Sequence, residues 1–130
     1  MDRARLFLAV NALLWLPYGL YCLAQPGFLG DAATAGVVAT TPTGTTELRA
    51  MYGGLQAAIG ALALMATLRD DLVRTALIAL GFLAAGLFSA RVVGALVDGG
   101  LSSYTVGALV LESALTVLSI ALLRRRAGGG

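Results

Sequence analysis

Thr46-Glu47-Leu48-Arg49-Ala50-Met51-Tyr52-Gly53-Gly54-Leu55-Gln56 opens an apolar run that continues to about residue 68. An acid, a base, a phenol, two glycines and an amide stand where a long apolar helix begins. Elsewhere the apolar runs avoid charge, with two exceptions, Arg91 and Glu112. The fold turns on whether this stretch edges a soluble helix or forms the mouth of a membrane span. Composition decides for the membrane. The 130 residues are 58% hydrophobic and only 12% charged, against about 25% charged in ordinary soluble domains. Most of the charges sit at the ends of apolar runs, the pattern of an integral membrane protein.

Working outward from that stretch, the sequence predicts an all-α, integral membrane four-helix bundle. It forms a single four-span domain, with helices at about 6–24, 46–68, 72–97 and 102–123. Thr45 or Thr46 is the expected N-cap of the second helix, with Glu47 in its first turn, where a negative charge suits the helix dipole. Arg69-Asp70-Asp71 ends that span in a tight turn, Asp98-Gly99-Gly100 breaks the third, and Arg124-Arg125-Arg126 stops the fourth. The Ala127-Gly128-Gly129-Gly130 tail is expected to be disordered. Pro17 lies inside the first span, where it removes a backbone hydrogen bond. A retained helix is expected there rather than a cleaved signal peptide, because no Ala-x-Ala site follows it. Residues 25–45 form a loop rich in Gly, Thr, Pro and Ala, with a turn at Gln25-Pro26-Gly27. Phe28 and Leu29 are expected to dip back toward the interface, and the loop to cover whatever lies below it.

All nine basic residues are arginine, and there is no histidine. Absence of histidine argues against the usual haem and zinc sites, and no metal or cofactor is expected. The single cysteine, Cys22, rules out an internal disulfide and a C-x-x-C redox pair. Arg3, Arg5, Arg69, Arg74 and Arg124 to Arg126 fall on one side of a four-span arrangement. The connections at 25–45 and 98–101 contain no arginine. The positive-inside rule then places both termini in the cytoplasm, in a bacterial inner (plasma) membrane, with the 25–45 loop outside.

Depth follows from about 1.5 Å of rise per residue. Arg91 falls roughly 9 Å inward from the outer end of the third helix, and Glu112 roughly 14 Å from the outer end of the fourth. Arg49, Tyr52, Gly53, Gln56 and Gly60 share one face at regular helical spacing. Thr105, Glu112, Thr116 and Ser119 make a polar stripe on the fourth helix. Asn11, Trp15, Tyr18, Gly19 and Cys22 share a face of the first. Gly86, Ala90 and Gly94 make a ridge of small residues of the kind that lets helices approach. A charge at mid-bilayer costs at least about 2.5–3.5 kcal/mol, so Arg91 and Glu112 must face inward and find partners. The simplest arrangement pairs them with each other. The alternative pairs Glu47 with Arg91 and Arg49 with Glu112.

The stretch Glu47-Leu48-Arg49-Ala50-Met51-Tyr52-Gly53-Gly54-Leu55-Gln56 resembles the signature of a family of small four-helix bacterial membrane proteins. That family is catalogued as a domain of unknown function with an E-x-R-x-x-Y-G-G core. Arg91 and Glu112 stand where the resemblance implies a membrane-embedded arginine and glutamate. It spans nearly the whole chain and implies a topology without an activity. A second, architectural similarity is to DoxX-like four-span proteins.

Three functions fit this placement, beside a charged network that only holds the helices in register. One is a binding module for a lipid-like or isoprenoid-like molecule, held by Arg49, Tyr52, Gln56 and Arg91, with Trp15 and Tyr18 lining the pocket. The second is a cofactor-free acid–base enzyme of isomerase, epoxide-opening or cyclase type, with Glu112 or Glu47 as general acid or base. The third is an oligomeric transporter or channel subunit, a homo-oligomer joined through Gly86, Ala90 and Gly94. In every case the expected partner is a membrane lipid or apolar small molecule, not nucleic acid.

Overall fold

The computed structural model describes residues 2–31 and 33–128. It is all-α. Four helices, α1 (Arg3–Ala24), α2 (Pro42–Leu68), α3 (Asp70–Asp98) and α4 (Ser103–Ala127), are each long and apolar enough to cross a membrane. A hydrocarbon core of about 30 Å needs roughly 20 apolar residues, and the shortest, α1, has 22. Large apolar side chains on the outside, such as Leu13, Phe82 and Leu96, suit lipid rather than water. By contact the chain divides into two compact units, Met1–Val73 and Arg74–Gly130.

In the first unit, the Asp2 side chain caps α1 by accepting from Arg5 N at 2.8 Å. Helix α2 begins at Pro42, earlier than the expected 46, and its N-cap is Thr41 rather than Thr45 or Thr46. Thr41 Oγ1 accepts from Gly44 N at 3.0 Å. Threonine followed by proline at the first helical position is a strong start signal. The residues after it are polar, so apolar periodicity passes over that turn. A single residue, Arg69, joins α2 to α3, its N–H still bonded to the Met65 carbonyl. Beside this turn Arg5 reaches Asp70 at 3.2 Å.

The packing of α1 on α2 rests on glycine. A Cβ on Gly60 would lie 2.6 Å from the Leu16 Cα, and one on Gly53 would lie 2.7 Å from the Leu23 Cα. One on Gly19 would meet Ala57 Cα and the Gly53 carbonyl, each at 2.8 Å. Real Cβ atoms do not come so close to backbone, so these three positions admit only glycine without movement. Small residues at such crossings let backbones touch, which is how membrane helices gain dispersion energy without a hydrophobic drive. Gly54 plays no such part: a Cβ there would meet only the Arg49 carbonyl of its own helix, at 3.8 Å.

The connection from α1 to α2 is folded rather than loose. A 3-10 turn, Pro26–Gly30, leads from α1. Leu29 is fully buried, and its carbonyl accepts from Val37 N at 2.8 Å. The Asp31 carbonyl accepts from Thr34 N and Gly36 N, with Gly36 at φ +65. Phe28 turns back onto Tyr21, ring centroids 5.2 Å apart.

In the second unit, the buried positions Ala76, Leu77, Leu80 and Ala84 of α3 recur at helical spacing. Helix α3 stops where Gly99 adopts φ +69. Ser102 caps α4, its Oγ accepting from Thr105 N at 3.1 Å. Helices α3 and α4 approach closely at Gly81, where a Cβ would lie 3.2 Å from the Ser119 Cβ. Helix α4 runs through the arginine triplet to Ala127, with Gly128 as its C-cap. The expected disordered tail thus begins in helix, and Gly129 and Gly130 lie outside the described residues.

Candidate functional site

The strongest polar constellation is inside the second unit. Arg91 lies near the end of α3 and Glu112 in the second quarter of α4. The antiparallel run of the two helices brings them level. Arg91 Nε donates to Glu112 Oε1 at 2.8 Å. The simpler of the two expected pairings is therefore the one formed. Glu112 is buried, its side chain 4% exposed, while the Arg91 side chain keeps 28% exposure. The Arg91 guanidinium carbon stands 5.7 Å from the centroid of the Tyr104 ring, within reach of a cation–π attraction. Tyr104 was not among the expected site residues. It stands on the same helix as Glu112, roughly two turns earlier, and that spacing is the signal that would have placed it.

The other Glu112 oxygen, Oε2, is buried and makes no hydrogen bond among the described residues. The same holds for Ser119 Oγ, two turns further along α4. Between them, Thr116 Oγ1 donates to the Glu112 carbonyl at 2.8 Å. The expected polar stripe of α4 therefore holds two buried acceptors with capacity to spare. A buried carboxylate oxygen without a donor costs more than a neutral one, so such an atom calls for an explanation.

The polar residues of the opening stretch take different places. Arg49–Gly54 is wound as a π-helix inside α2. The Leu55 N–H reaches back five residues to the Ala50 carbonyl. The turn is widened by one residue, yet Arg49, Gly53 and Gly60 of the expected face all still meet α1. π-Turns of this kind recur at functional sites. Arg49 Nη1 donates to the Leu23 carbonyl and, at 3.3 Å, to the Ala24 carbonyl. It thereby caps the C-terminus of α1, where carbonyls lack helical partners and the dipole favours a cation. Tyr52 and Gln56 are half-buried, and their side chains make no hydrogen bond among the described residues. Glu47 is exposed, in the first turns of α2.

Trp15 and Tyr18 are half-buried on α1, rings edge to face with centroids 6.2 Å apart. Trp15 Nε1 donates to Asn11 Oδ1 at 3.1 Å, and Asn11 Nδ2 donates to the Phe7 carbonyl at 2.8 Å. Buried Asn11 is thus tied into its own helix. A cavity of about 400 Å³ does exist in the first unit, but Trp15, Tyr18, Tyr52 and Gln56 do not line it. It lies against the 26–39 connection and the first turns of α2. Of the expected small-residue ridge, a Cβ at Gly86 would meet nothing within 4 Å, and one at Gly94 only its own helix's Asp98. No cluster of three or more metal-ligating side chains occurs among the described residues.

Four apolar helices with an ion pair sunk between two of them define a multi-pass helical membrane protein. The chain belongs to the family described as domain of unknown function DUF4345, which matches residues 3–123 and so reaches all four spans. Neither a curated protein nor a solved structure matches the chain.

Proposed function

We propose that this protein binds a lipid-like or isoprenoid-like molecule through one hydrogen-bond-donating head group, such as a hydroxyl, at Arg91, Glu112 and Tyr104. The observation that carries this is the unpartnered Glu112 Oε2, buried in the middle of an apolar helix. One carboxylate oxygen is committed to Arg91 and fixes the side chain. The other is then a rigid acceptor in a low-dielectric setting, where a donor is worth more than in water. The Tyr104 ring, 5.7 Å from the Arg91 guanidinium carbon, offers an apolar surface of the kind such ligand sites use. The arginine distribution supports a topology with both termini cytoplasmic, which puts Arg91 and Glu112 in the outer half of the membrane.

The test is lipid analysis and native mass spectrometry of the purified protein. Wild type is expected to retain a hydroxyl-bearing lipid that Arg91→Ala loses. Glu112→Gln, which keeps the shape and the folded helices, is expected to retain it more weakly. Equal amounts of the same lipids in all three proteins would overturn the proposal.

A further inference from the structure

The glycines of this chain sort by what each position demands. Gly19, Gly53 and Gly60 are held to glycine by neighbouring backbone, and Gly36 and Gly99 by positive φ. Gly27 and Gly30 answer to neither. Their φ angles lie outside the left-handed region. A Cβ on Gly27 would meet nothing within 4 Å, and one on Gly30 only Val38 Cγ2 at 3.4 Å and the Val37 carbonyl at 3.7 Å, both ordinary contacts. Both line the cavity of about 400 Å³ in the first unit. Its volume falls in the range of small-molecule sites, roughly 300–1,000 Å³. What glycine provides at these two positions is room inside that cavity.

We infer that this cavity receives an acyl chain of a membrane phospholipid. Pro26, Val37, Val38, Ala39, Thr45 and Leu48 complete its walls, and no charged side chain lines it. Its one hydroxyl, Thr45 Oγ1, is turned to the Thr41 carbonyl at 3.3 Å. A charged group entering there would find no side chain of opposite charge, whereas a hydrocarbon chain needs none. Position supplies the chain. The cavity sits where α1 ends and α2 begins, and α2 has 27 residues, about 40 Å at 1.5 Å each. That exceeds a hydrocarbon core of about 30 Å, so the polar first turns of α2 lie at the interface, beside acyl chains. Val38, 70% exposed, and the Tyr21–Phe28 pair stand at that level, as interfacial aromatics do. This site is separate from Arg91 and Glu112 and stands or falls without them.

The full chain in lipid nanodiscs, containing a phosphatidylcholine with a diazirine near the end of one acyl chain, provides the experiment. After illumination, adducts are mapped by peptide mass spectrometry. Labelling of the 26–30 and 37–39 segments is expected to exceed that at Phe82, an outward-facing position that reports general lipid contact. Gly27→Leu and Gly30→Leu, checked for retained helix content, fill the space and should bring that labelling down to the Phe82 level. The proposal is overturned if wild type shows no excess there, or if the filled variants keep it. It is also overturned if a water-soluble diazirine labels these segments better than the lipid does, which would make the cavity an aqueous cleft.

Discussion

The helix pair in residues 1–73 and the pair in residues 74–130 solve the same problem in opposite ways. Helices α1 and α2 touch backbone to backbone through Gly19, Gly53 and Gly60. Asn11, their fully buried polar residue, is bonded within its own helix. Helices α3 and α4 meet closely at Gly81 and Ser119 and are otherwise bridged by long charged side chains, Arg91 and Glu112. Direct backbone contact leaves no space and asks for no polar partner. A bridge of side chains leaves an acceptor over, at Glu112 Oε2. A membrane protein that needed only to hold together would use the first solution twice. The second unit keeps a costly one, which is why the ligand site is proposed there.

The largest effect should come from breaking that bridge. Removing one partner of a buried ion pair strands the other and costs roughly 3–5 kcal/mol. Glu112→Ala is expected to lower the unfolding free energy, measured in detergent, by about that amount. Replacing both residues by leucine should recover much of it, because the one charge that Glu112→Ala strands is then gone as well. A loss for Glu112→Ala of less than about 1 kcal/mol, the scale of an exposed pair, would show that water or lipid head groups reach the pair and erase the contrast between the units.

Next comes the glycine contact. Gly60→Ala places a methyl 2.6 Å from the Leu16 Cα, and backbone cannot move aside as a side-chain tip can. Overpacking of this kind costs about 1–3 kcal/mol. Gly54→Ala, one turn and a half earlier on the same helix, meets no such contact and should instead gain roughly 0.5–1 kcal/mol from the loss of a helix-interior glycine. The pair of variants sharpens the comparison, since only one of these glycines faces α1. Arg49→Ala ranks third. It removes the cation from the C-terminus of α1, and a hydrogen bond of this kind is worth about 0.5–1.5 kcal/mol. Its hydrogen-exchange signature should be local, with faster exchange in the last turn of α1 and little change at Leu8.

The spans, their order and the Arg91–Glu112 pair were legible because each follows from a large cost. An unpaired mid-span charge is expensive enough to force a partner, and few partners exist. The role of Arg49 was not legible. Its acceptors are the carbonyls of Leu23 and Ala24, and a backbone carbonyl leaves no mark in a sequence. The π-turn was hidden for a related reason. Arg49–Gly54 carries nothing that separates a wide turn from an ordinary one, and Arg49, Gly53 and Gly60 meet α1 in spite of it. The Thr41-Pro42 start was legible, but apolar periodicity could not register a first turn with no apolar residue in it. Gly53 and Gly54 look alike in the sequence and differ only in what stands opposite them.

The smallest effect concerns Gly86, and it separates packing within one chain from packing between chains. In α3 a Cβ at Gly86 meets nothing within 4 Å, so within this chain the methyl of Gly86→Ala is free of steric cost. Glycine in a helix interior costs roughly 0.5–1 kcal/mol relative to alanine. The substitution should therefore stabilise α3 by about that amount. The proposed homo-oligomer through Gly86, Ala90 and Gly94 makes a different demand, because a partner helix seated on the ridge would meet any added bulk. Gly86→Ile offers that bulk. In nanodiscs it should leave the measured mass unchanged if the ridge faces lipid, and shift it toward monomer if a second copy covers it. Stabilisation by alanine with unchanged mass for isoleucine would remove the ridge from the interface. Loss of an assembly with isoleucine, while Glu112→Gln keeps it, would place the contact on α3 independently of the charged site.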